Sequence, residues 1–333
     1  MRQLRYFEAL AQHGHFGRAA QACAISQPAL SLQIKELEES LGAPLVGRGT
    51  RQVRLTRLGE AFALRVRDIL RAVDELADLA RASHSPLAGQ LRIGVIPTVA
   101  PYLLPAVIQR LSERFPGLNL RPREAVTQRL VEDMAEGRLD TAIVALPVSE
   151  PALSEAVLFD EEFVLVRPRE DADKPVPNAE MLREMRLLLL EEGHCFREQA
   201  ISFCKMASSL PQDLMEGSSL TTLVQMVGAG IGVTLIPQMA VPVETRSAPV
   251  CVARFARPRP SRTIGMVWRK TNPLSAQFER IAEIVRELGA ARPGLGGGTG
   301  SGRPEVIAGP ARHVAAPSGR RRRKTDPTPG VEG

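Results

Sequence analysis

The sequence predicts an α/β protein with an α-rich head at the N-terminus, a long linker helix and a two-lobed α/β body. Three features indicate this architecture: helically spaced apolar residues in residues 1–59, one amphipathic stretch after them, and alternating apolar runs and helical stretches from residue 90. With 333 residues, of which 44% are apolar, the chain is long enough for two or three domains. We therefore divide it into a head (1–59), a linker helix and hinge (60–89), an effector domain (90–290) and a tail (291–333).

The head is predicted to hold three short helices, of which the last two form a helix-turn-helix. Ser26 is placed to cap the third helix, which tolerates Pro28 in its first turn and stops at Gly42. One face of this helix is apolar. The opposite face is polar, and periodicity alone allows either a solvated surface or one that contacts bases in a major groove.

Two short extended runs, 44–46 and 53–56, flank a glycine turn and predict a wing beside the helix-turn-helix. Basic side chains in a wing suit contacts to phosphates, which carry no base preference of their own. A winged helix-turn-helix favours DNA binding over a merely solvated helix face. The predicted DNA-contacting residues are Gln27, Pro28, Ser31, Lys35, Arg48, Arg51 and Arg54.

The distribution of charge indicates which part of the chain meets DNA. The formal net charge of +6 divides into +4 in the head, +5 in the tail and −3 between them. A basic head suits the phosphate backbone, and a mildly acidic body does not. The tail is rich in Gly, Pro, Ser and Arg, and we expect it to be disordered and solvated.

The stretch from residue 60 to about residue 82 carries apolar side chains alternately three and four residues apart, as in a coiled coil. This pattern predicts a homodimer through the linker helix, although the same stripe could pack on the chain's own body. A break with Pro86 follows and suggests a helix held apart from what comes next. The predicted seam consists of Phe62, Val66, Ile69, Val73, Leu76 and Ala80.

Residues 90–290 alternate between strand and helix patterns, which predicts parallel sheets with right-handed crossovers in two lobes. Strands are expected near 91–96, 118–121 and 141–146 in the first series, and near 163–167, 187–190, 233–236 and 263–268 in the second. A last helix, about 274–288, is expected to pack back on the first lobe.

The head resembles the LysR family of bacterial transcription regulators over its whole length. The matching features are the spacing of its small residues, the SQPALS start of the recognition helix and its LE-x-x-LG end. This resemblance implies a winged helix-turn-helix, a dimerising linker helix and an effector domain similar to periplasmic binding proteins. It also implies assembly on DNA, often as tetramers.

Within that family, the segment LLLLEEGHCFREQAISFC resembles the redox loop of the peroxide-sensing OxyR group. IPTVAPYLLP, EGRLDTAIVALP and SLTTLVQMVGAGIGVTLIP strengthen the likeness. It implies that peroxide attacks Cys195 and that Cys204 is its disulfide partner. By the same likeness the peroxide pocket is lined by Thr98, Thr127 and His194, with Arg262 beside the reactive cysteine. One departure is Glu198, where related sensors can carry an aspartate.

Residue chemistry gives independent support for Cys195 as the reactive thiol. Peroxide reacts with thiolate, and His194 and Arg197 can hydrogen-bond or stabilise negative charge beside Cys195. A helix that begins here would favour the thiolate as well. The alternative is that Cys195 and Cys204 are buried and never react. We interpret Cys23 and Cys251 in this way, as small buried apolar residues.

Helix geometry adds a constraint on the pair Cys195 and Cys204. Nine residues of continuous helix would separate their Cα atoms by roughly 13 Å and place them on opposite faces. A disulfide tolerates only about 4.4–6.8 Å between Cα atoms. The segment must therefore unwind or swing before the bond can close.

These observations predict a cytoplasmic transcription regulator that senses hydrogen peroxide, binds double-stranded operator DNA as a homodimer or homotetramer, and acts with RNA polymerase. The alternative is a LysR-type regulator whose interlobe cleft binds a small organic effector. We expect no enzyme activity, cofactor, metal or membrane contact, since the sequence lacks a CxxC pair, G-x-S-x-G, HExxH and long apolar runs.

Overall fold

The computed structural model describes residues 1–47, 53–84, 87–204, 215–291 and 305–308, and it confirms the predicted α/β architecture with a helical head. Three helices form the head: α1 (Arg2–His13), α2 (Phe16–Ala22) and α3 (Gln27–Leu41). The Ser26 hydroxyl caps α3 by accepting the Ala29 N–H at 3.4 Å, and Gly42 ends it with φ 68°. Both cap residues act as the sequence predicts.

The wing begins where the chain leaves α3. Val46 and Leu55 form an antiparallel bridge, and the Gly47 N–H donates to the Arg54 carbonyl at 2.7 Å. The Glu38 carboxylate accepts the N–H groups of Leu45 and Val46 at 2.7 and 2.9 Å, which ties the wing to α3. The predicted phosphate contacts Arg48 and Arg51 lie outside the described residues.

The predicted seam of the linker helix α4 (Arg57–His84) is buried in its first part and exposed further along the helix. Phe62 stacks edge-on against Phe7 at 5.4 Å, and Val66 is only 1% exposed within the core of the head. Ile69 and Leu76 are 47% and 65% exposed. The prediction that all six positions form one dimer seam is therefore wrong for Phe62 and Val66, because both pack within the core of the head.

The first lobe contains a mixed sheet in the order β2-β1-β3-β9-β4, in which only the first three strands are parallel. The predicted parallel pairing holds for β1, β2 and β3. The strand predicted near 263–268 in the second series is β9, which instead lies in this sheet and runs antiparallel to β3 and β4. Helix α11 packs on α5 and β4, as predicted. The elements are β1 (Gly89–Val95), α5 (Ala100–Arg114), β2 (Leu118–Glu124), α6 (Thr127–Ala135), β3 (Thr141–Leu146), β4 (Leu153–Pro168), β9 (Ser261–Arg269) and α11 (Ser275–Ala290).

The second lobe is built on the end of β4, whose residues 163–168 leave β9 and pair with β7 and β8. The sixteen residues of β4 thus connect the two lobes. Sequence periodicity predicts β5, β7, α8 and α9 but misses β6, β8, α7 and α10. The elements are α7 (Ala179–Glu184), β5 (Leu187–Leu190), α8 (Cys195–Phe203), β6 (Glu216–Gly217), α9 (Leu220–Gly228), β7 (Val233–Pro237), α10 (Val241–Glu244) and β8 (Val250–Arg254).

One short piece of the tail forms a strand, β10 (Glu305–Ala308), which pairs antiparallel with β8. The expectation of disorder does not hold for these four residues. The sequence EVIA contains two adjacent β-branched residues, a composition that favours strands, within a segment otherwise rich in glycine, proline and arginine. The remainder of the predicted tail, from residue 292, lies outside the described residues.

Candidate redox site and nucleic-acid interface

Helix α8 places the two cysteines of interest at its opposite ends. Cys195 is its first residue and is partly buried, whereas Cys204 caps its C-terminus and is fully buried. Both are free thiols. Because α8 is continuous from Cys195 to Phe203, the two Cα atoms are roughly 13 Å apart at the usual helical rise. The separation inferred from helix geometry therefore applies to this state of the protein.

The surroundings of the two thiols give them different reactivity. Burial raises the pKa of Cys204 to about 11. About one Cys204 in ten thousand is then a thiolate at pH 7, which protects this thiol from peroxide while it stays buried. Cys195 lies at a helix N-terminus, where backbone N–H groups and the helix dipole favour negative charge. Cys195 thus lies partly exposed at a helix N-terminus, whereas Cys204 is buried with a raised pKa.

Arg262 contacts both lobes beside Cys195. Its Nη1 donates to Thr98 Oγ1 at 2.7 Å and its Nη2 to the Thr98 carbonyl at 3.1 Å, in the loop that precedes α5. Its guanidinium carbon lies 5.4 Å from the centre of the Phe196 ring, a cation–π contact with the residue after Cys195. Thr98, Arg262 and the start of α8 are thereby brought together.

The two predicted pocket threonines have complementary hydrogen-bonding states. Thr98 Oγ1 already accepts a bond from Arg262, so its own hydroxyl hydrogen is left to donate. Thr127 begins α6, and its buried Oγ1 has no hydrogen-bond partner among the described residues. A buried hydroxyl without a partner is costly unless a ligand or water satisfies it. The Thr98 hydroxyl can therefore donate to a small polar ligand, and the Thr127 hydroxyl can both donate to one and accept from one.

His194 directly precedes α8 and is partly buried. Burial lowers the pKa of its imidazole, and the carboxylates of Glu191 and Glu124 oppose that shift in part. Glu191 precedes His194 in the chain, and Glu124 ends β2 in the first lobe. The lowered pKa favours the neutral imidazole, which can both donate and accept a hydrogen bond.

Arg197 is buried, and its guanidinium is directed towards the sheet of the second lobe. Nη1 donates to the Leu190 carbonyl at 2.7 Å and lies 2.7 Å from a Glu216 carboxylate oxygen. These contacts fasten the first turn of α8 to β5 and β6. The structure thus gives Arg197 an anchoring role, and stabilisation of the Cys195 thiolate by Arg197 stays a prediction.

Two buried carboxylates that were not predicted from the sequence also contribute to this region. Glu161 on β4 pairs with Arg262 at 2.8 Å, and neither side chain is exposed. Glu244 on α10 accepts the Tyr102 hydroxyl at 2.6 Å, a buried bond between the two lobes. No short motif marks either residue. Glu161 stands between two other acidic residues, Asp160 and Glu162, and Glu244 lies in a four-residue helix, so the sequence gives no signal that either is buried.

A polar cavity of about 330 Å³ lies elsewhere, between α1, α4 and the first lobe. Arg71 reaches across it to the Ala135 carbonyl at 2.7 Å, and Arg67 lies 3.5 Å from Glu136. This network joins the linker helix to the end of α6.

Among the described residues no group of three or more His, Cys, Asp or Glu side chains is placed to hold a metal, and no helix could span a membrane.

The recognition face of α3 is open to solvent. Gln27, Pro28, Ser31 and Lys35 are all exposed, and Lys35 makes a loose pair with Glu39 at 3.5 Å. Arg54 in the wing is exposed as well. Leu32 on the same helix is 56% exposed and is not among the predicted contact residues.

Comparison with known proteins identifies the family. Residues 1–60 match the model of bacterial regulatory helix-turn-helix proteins of the lysR family, and residues 84–290 match the LysR substrate binding domain. The chain belongs to the LysR family. Among its LysR-family relatives, the probable hydrogen peroxide-inducible genes activator of Streptomyces viridosporus is 45% identical over 290 residues, which are 86% of this chain and 93% of the relative.

One further relative and two solved structures are also similar to this chain. The DNA-binding transcriptional dual regulator OxyR of Escherichia coli strain K12 is 42% identical over 86% of this chain and 94% of its own length. A full-length Cys-to-Asp variant of Pseudomonas aeruginosa OxyR matches with a TM-score of 0.69 and 35% identity, covering 86% of this chain and 97% of that one. A Cys-to-Ser variant of Corynebacterium glutamicum OxyR with bound hydrogen peroxide matches with a TM-score of 0.60 and 35% identity, covering 86% and 91%.

Proposed function

We propose that this LysR-family protein is a transcription activator that senses hydrogen peroxide through Cys195 and switches by forming a disulfide with Cys204. The observation that carries the proposal is the contrast between the two thiols. Cys195 lies at the partly open start of α8, while Cys204 is buried at the other end with its pKa raised to about 11. The names of relatives 42–45% identical to this chain support the same activity.

The reaction has two steps. The Cys195 thiolate attacks one peroxide oxygen, the O–O bond breaks, and the released hydroxide takes up a proton to leave as water, which yields a sulfenic acid. Cys204 then loses its proton and attacks the Cys195 sulfur, so that the S–S bond forms and the sulfenic oxygen leaves as a second water. Two thiols are oxidised and one peroxide is reduced.

Thr98, Thr127, His194 and Arg262 are the residues proposed to hold peroxide for the first step. A peroxide molecule has two O–H donors and lone pairs on both oxygens. The free hydrogen of Thr98 and the unpartnered oxygen of Thr127 match those requirements. The Arg262 guanidinium stabilises the negative charge that develops on the leaving oxygen.

The heads are proposed to bind a palindromic operator as a homodimer or homotetramer in the cytoplasm, where RNA polymerase is the partner of an activator. The exposed polar face of α3 and the exposed Arg54 support DNA binding by the head. The exposed Ile69 and Leu76 on α4 support an interface with a second copy.

Mass spectrometry of the full-length protein tests the proposal. After a stoichiometric dose of hydrogen peroxide, we expect the wild type to lose two hydrogens, with Cys195 and Cys204 in one cross-linked peptide. The Cys204→Ser variant should instead gain one oxygen on Cys195. Cys251→Ser is the matched control, because Cys251 is buried against the Pro168 carbonyl and should not change the result. A wild type with four unmodified thiols would refute the proposal and favour an organic effector.

A further inference from the structure

Glu161 and Arg262 form a buried ion pair where the two lobes meet. They are direct cross-strand neighbours on β4 and β9, and both side chains have no exposed surface. Arg262 Nε donates to Glu161 Oε2 at 2.9 Å. The other carboxylate oxygen, Oε1, accepts the Met239 N–H at 3.0 Å in the second lobe. Glu161 is therefore held from two sides and has little freedom to move.

The same guanidinium that Glu161 holds also bonds Thr98 and lies over the ring of Phe196. Phe196 is in turn packed edge-on against Phe163 on β4 at 4.8 Å between ring centres. An arginine side chain has many rotamers in the absence of such contacts. The carboxylate fixes the plane of the guanidinium, and that plane decides which atom of Thr98 receives its N–H bond.

We infer that Glu161 is a positioning residue for the reaction of Cys195 with peroxide, acting through Arg262. It fixes Arg262 so that Nη1 donates to Thr98 Oγ1, and the Thr98 hydroxyl hydrogen then points to the peroxide. The inference rests on the proposed function, and it adds a residue that the site by itself would not identify.

Substitution of Glu161 should change the pH–rate profile in one way if its carboxylate positions Arg262, and in another if it only stabilises the fold. Loss of the Glu161 charge removes the partner that neutralises Arg262, so the surroundings of Cys195 become more positive and its thiolate becomes easier to form. Without Glu161 the plane of the Arg262 guanidinium is no longer fixed, and the attack of the Cys195 thiolate on peroxide becomes slower. The pH–rate profile should therefore shift to lower pH while its plateau falls. The other titratable and charged groups around this region are unchanged by the substitution: His194, Glu191, Glu124, Glu198, Arg197, Tyr102 and Glu244.

The experiment measures the rate of sulfenic acid formation against pH, in full-length protein carrying Cys204→Ser so that the first step is isolated. For Glu161→Gln, which keeps the shape and one acceptor, we expect the plateau rate to fall by at least about tenfold. The midpoint should move to lower pH. For Arg262→Gln the plateau should also fall, but the midpoint should move to higher pH, since a positive charge is lost.

Glu162→Gln is the matched control. Glu162 is the next residue of β4, and its carboxylate pairs with Arg259 at 3.0 Å at a more exposed position. The same chemical change there should alter the plateau rate by no more than about twofold. Glu161→Asp, which retains the charge on a shorter side chain, should restore the wild-type midpoint with part of the rate.

The double variant Glu161→Gln with Arg262→Gln separates positioning from folding, because it also removes the unpaired buried charge that a single variant leaves. If Glu161 acts through Arg262, the double variant reacts no more slowly than Arg262→Gln alone. Additive losses, or a Glu161→Gln variant with a lower Tm but an unchanged plateau and midpoint, would overturn the inference. If Cys195 of the Cys204→Ser parent forms no sulfenic acid, the proposed function itself fails.

Discussion

Cys195 and Cys204 occupy the two ends of a single continuous helix, so rotation of their side chains cannot bring the two sulfur atoms together. Their Cα atoms are roughly 13 Å apart, twice the span that a disulfide accepts. Formation of the bond must therefore unwind part of α8. The free energy of oxidation is thereby coupled to a change in the shape of that lobe.

The contact between Arg197 and Glu216 should slow this rearrangement, because it holds the first turn of α8 on the sheet. Glu216→Gln weakens the contact without altering α8. We expect disulfide formation from the sulfenic acid to become roughly two- to fivefold faster, in keeping with a partly exposed ion pair. Stopped-flow kinetics with both steps resolved would measure the change. The same substitution at the exposed Glu184 of α7 is the control. An unaltered rate of disulfide formation in Glu216→Gln would argue that the contact between Arg197 and Glu216 does not hold α8 in place.

The raised pKa of Cys204 gives a second expectation. A group whose pKa moves from 9.0 to about 11 has about one hundredth of the ordinary thiolate fraction below pH 9. Iodoacetamide at pH 8 should therefore label Cys195 more than about a hundredfold faster than Cys204 in the folded protein. In urea the two rates should converge, since the burial that raises the pKa is lost. Equal labelling of the folded protein would show that Cys204 is open to solvent.

Periodicity and caps predicted the bounds of α3 well, because Ser26 and Gly42 act on the helix turn next to them in the chain. They also predicted most strands of the body. The register and direction of β4 and β9 were not predictable, since pairing between distant strands leaves no local signal. For the same reason the partner of Arg262 was missed, although Arg262 itself was identified.

The linker helix shows how burial divides a pattern that looks uniform in sequence. Val66 is packed into the head, whereas Ile69 and Leu76 are exposed on one face of α4. Ile69→Asp combined with Leu76→Asp should give a monomer by light scattering, with the helix content unchanged. Leu64→Asp, on another face at 60% exposure, is the control and should remain dimeric. Dimers that survive the double substitution would mean that another surface holds the subunits.

DNA binding should divide into base contacts and phosphate contacts. Substitution of Gln27 or Ser31 by Ala should change base preference, because both side chains lie exposed on the recognition helix. Arg54→Ala should weaken binding to all sequences and lower the salt slope by about 1. Quantitative gel shifts over a salt series would test both, with the exposed Arg114 of α5 as the control. Equal losses at every position would leave α3 without a role in specificity.

The most direct test of a peroxide-driven switch compares footprints of full-length protein on its operator before and after hydrogen peroxide. The wild type should change its footprint on oxidation, because remodelling of α8 alters how the subunits place their heads. Cys204→Ser should form the sulfenic acid yet fail to reach the full oxidised footprint, and Cys195→Ser should give the reduced footprint under both conditions. Identical footprints for reduced and oxidised wild type, or a peroxide response that survives in Cys195→Ser, would contradict the account.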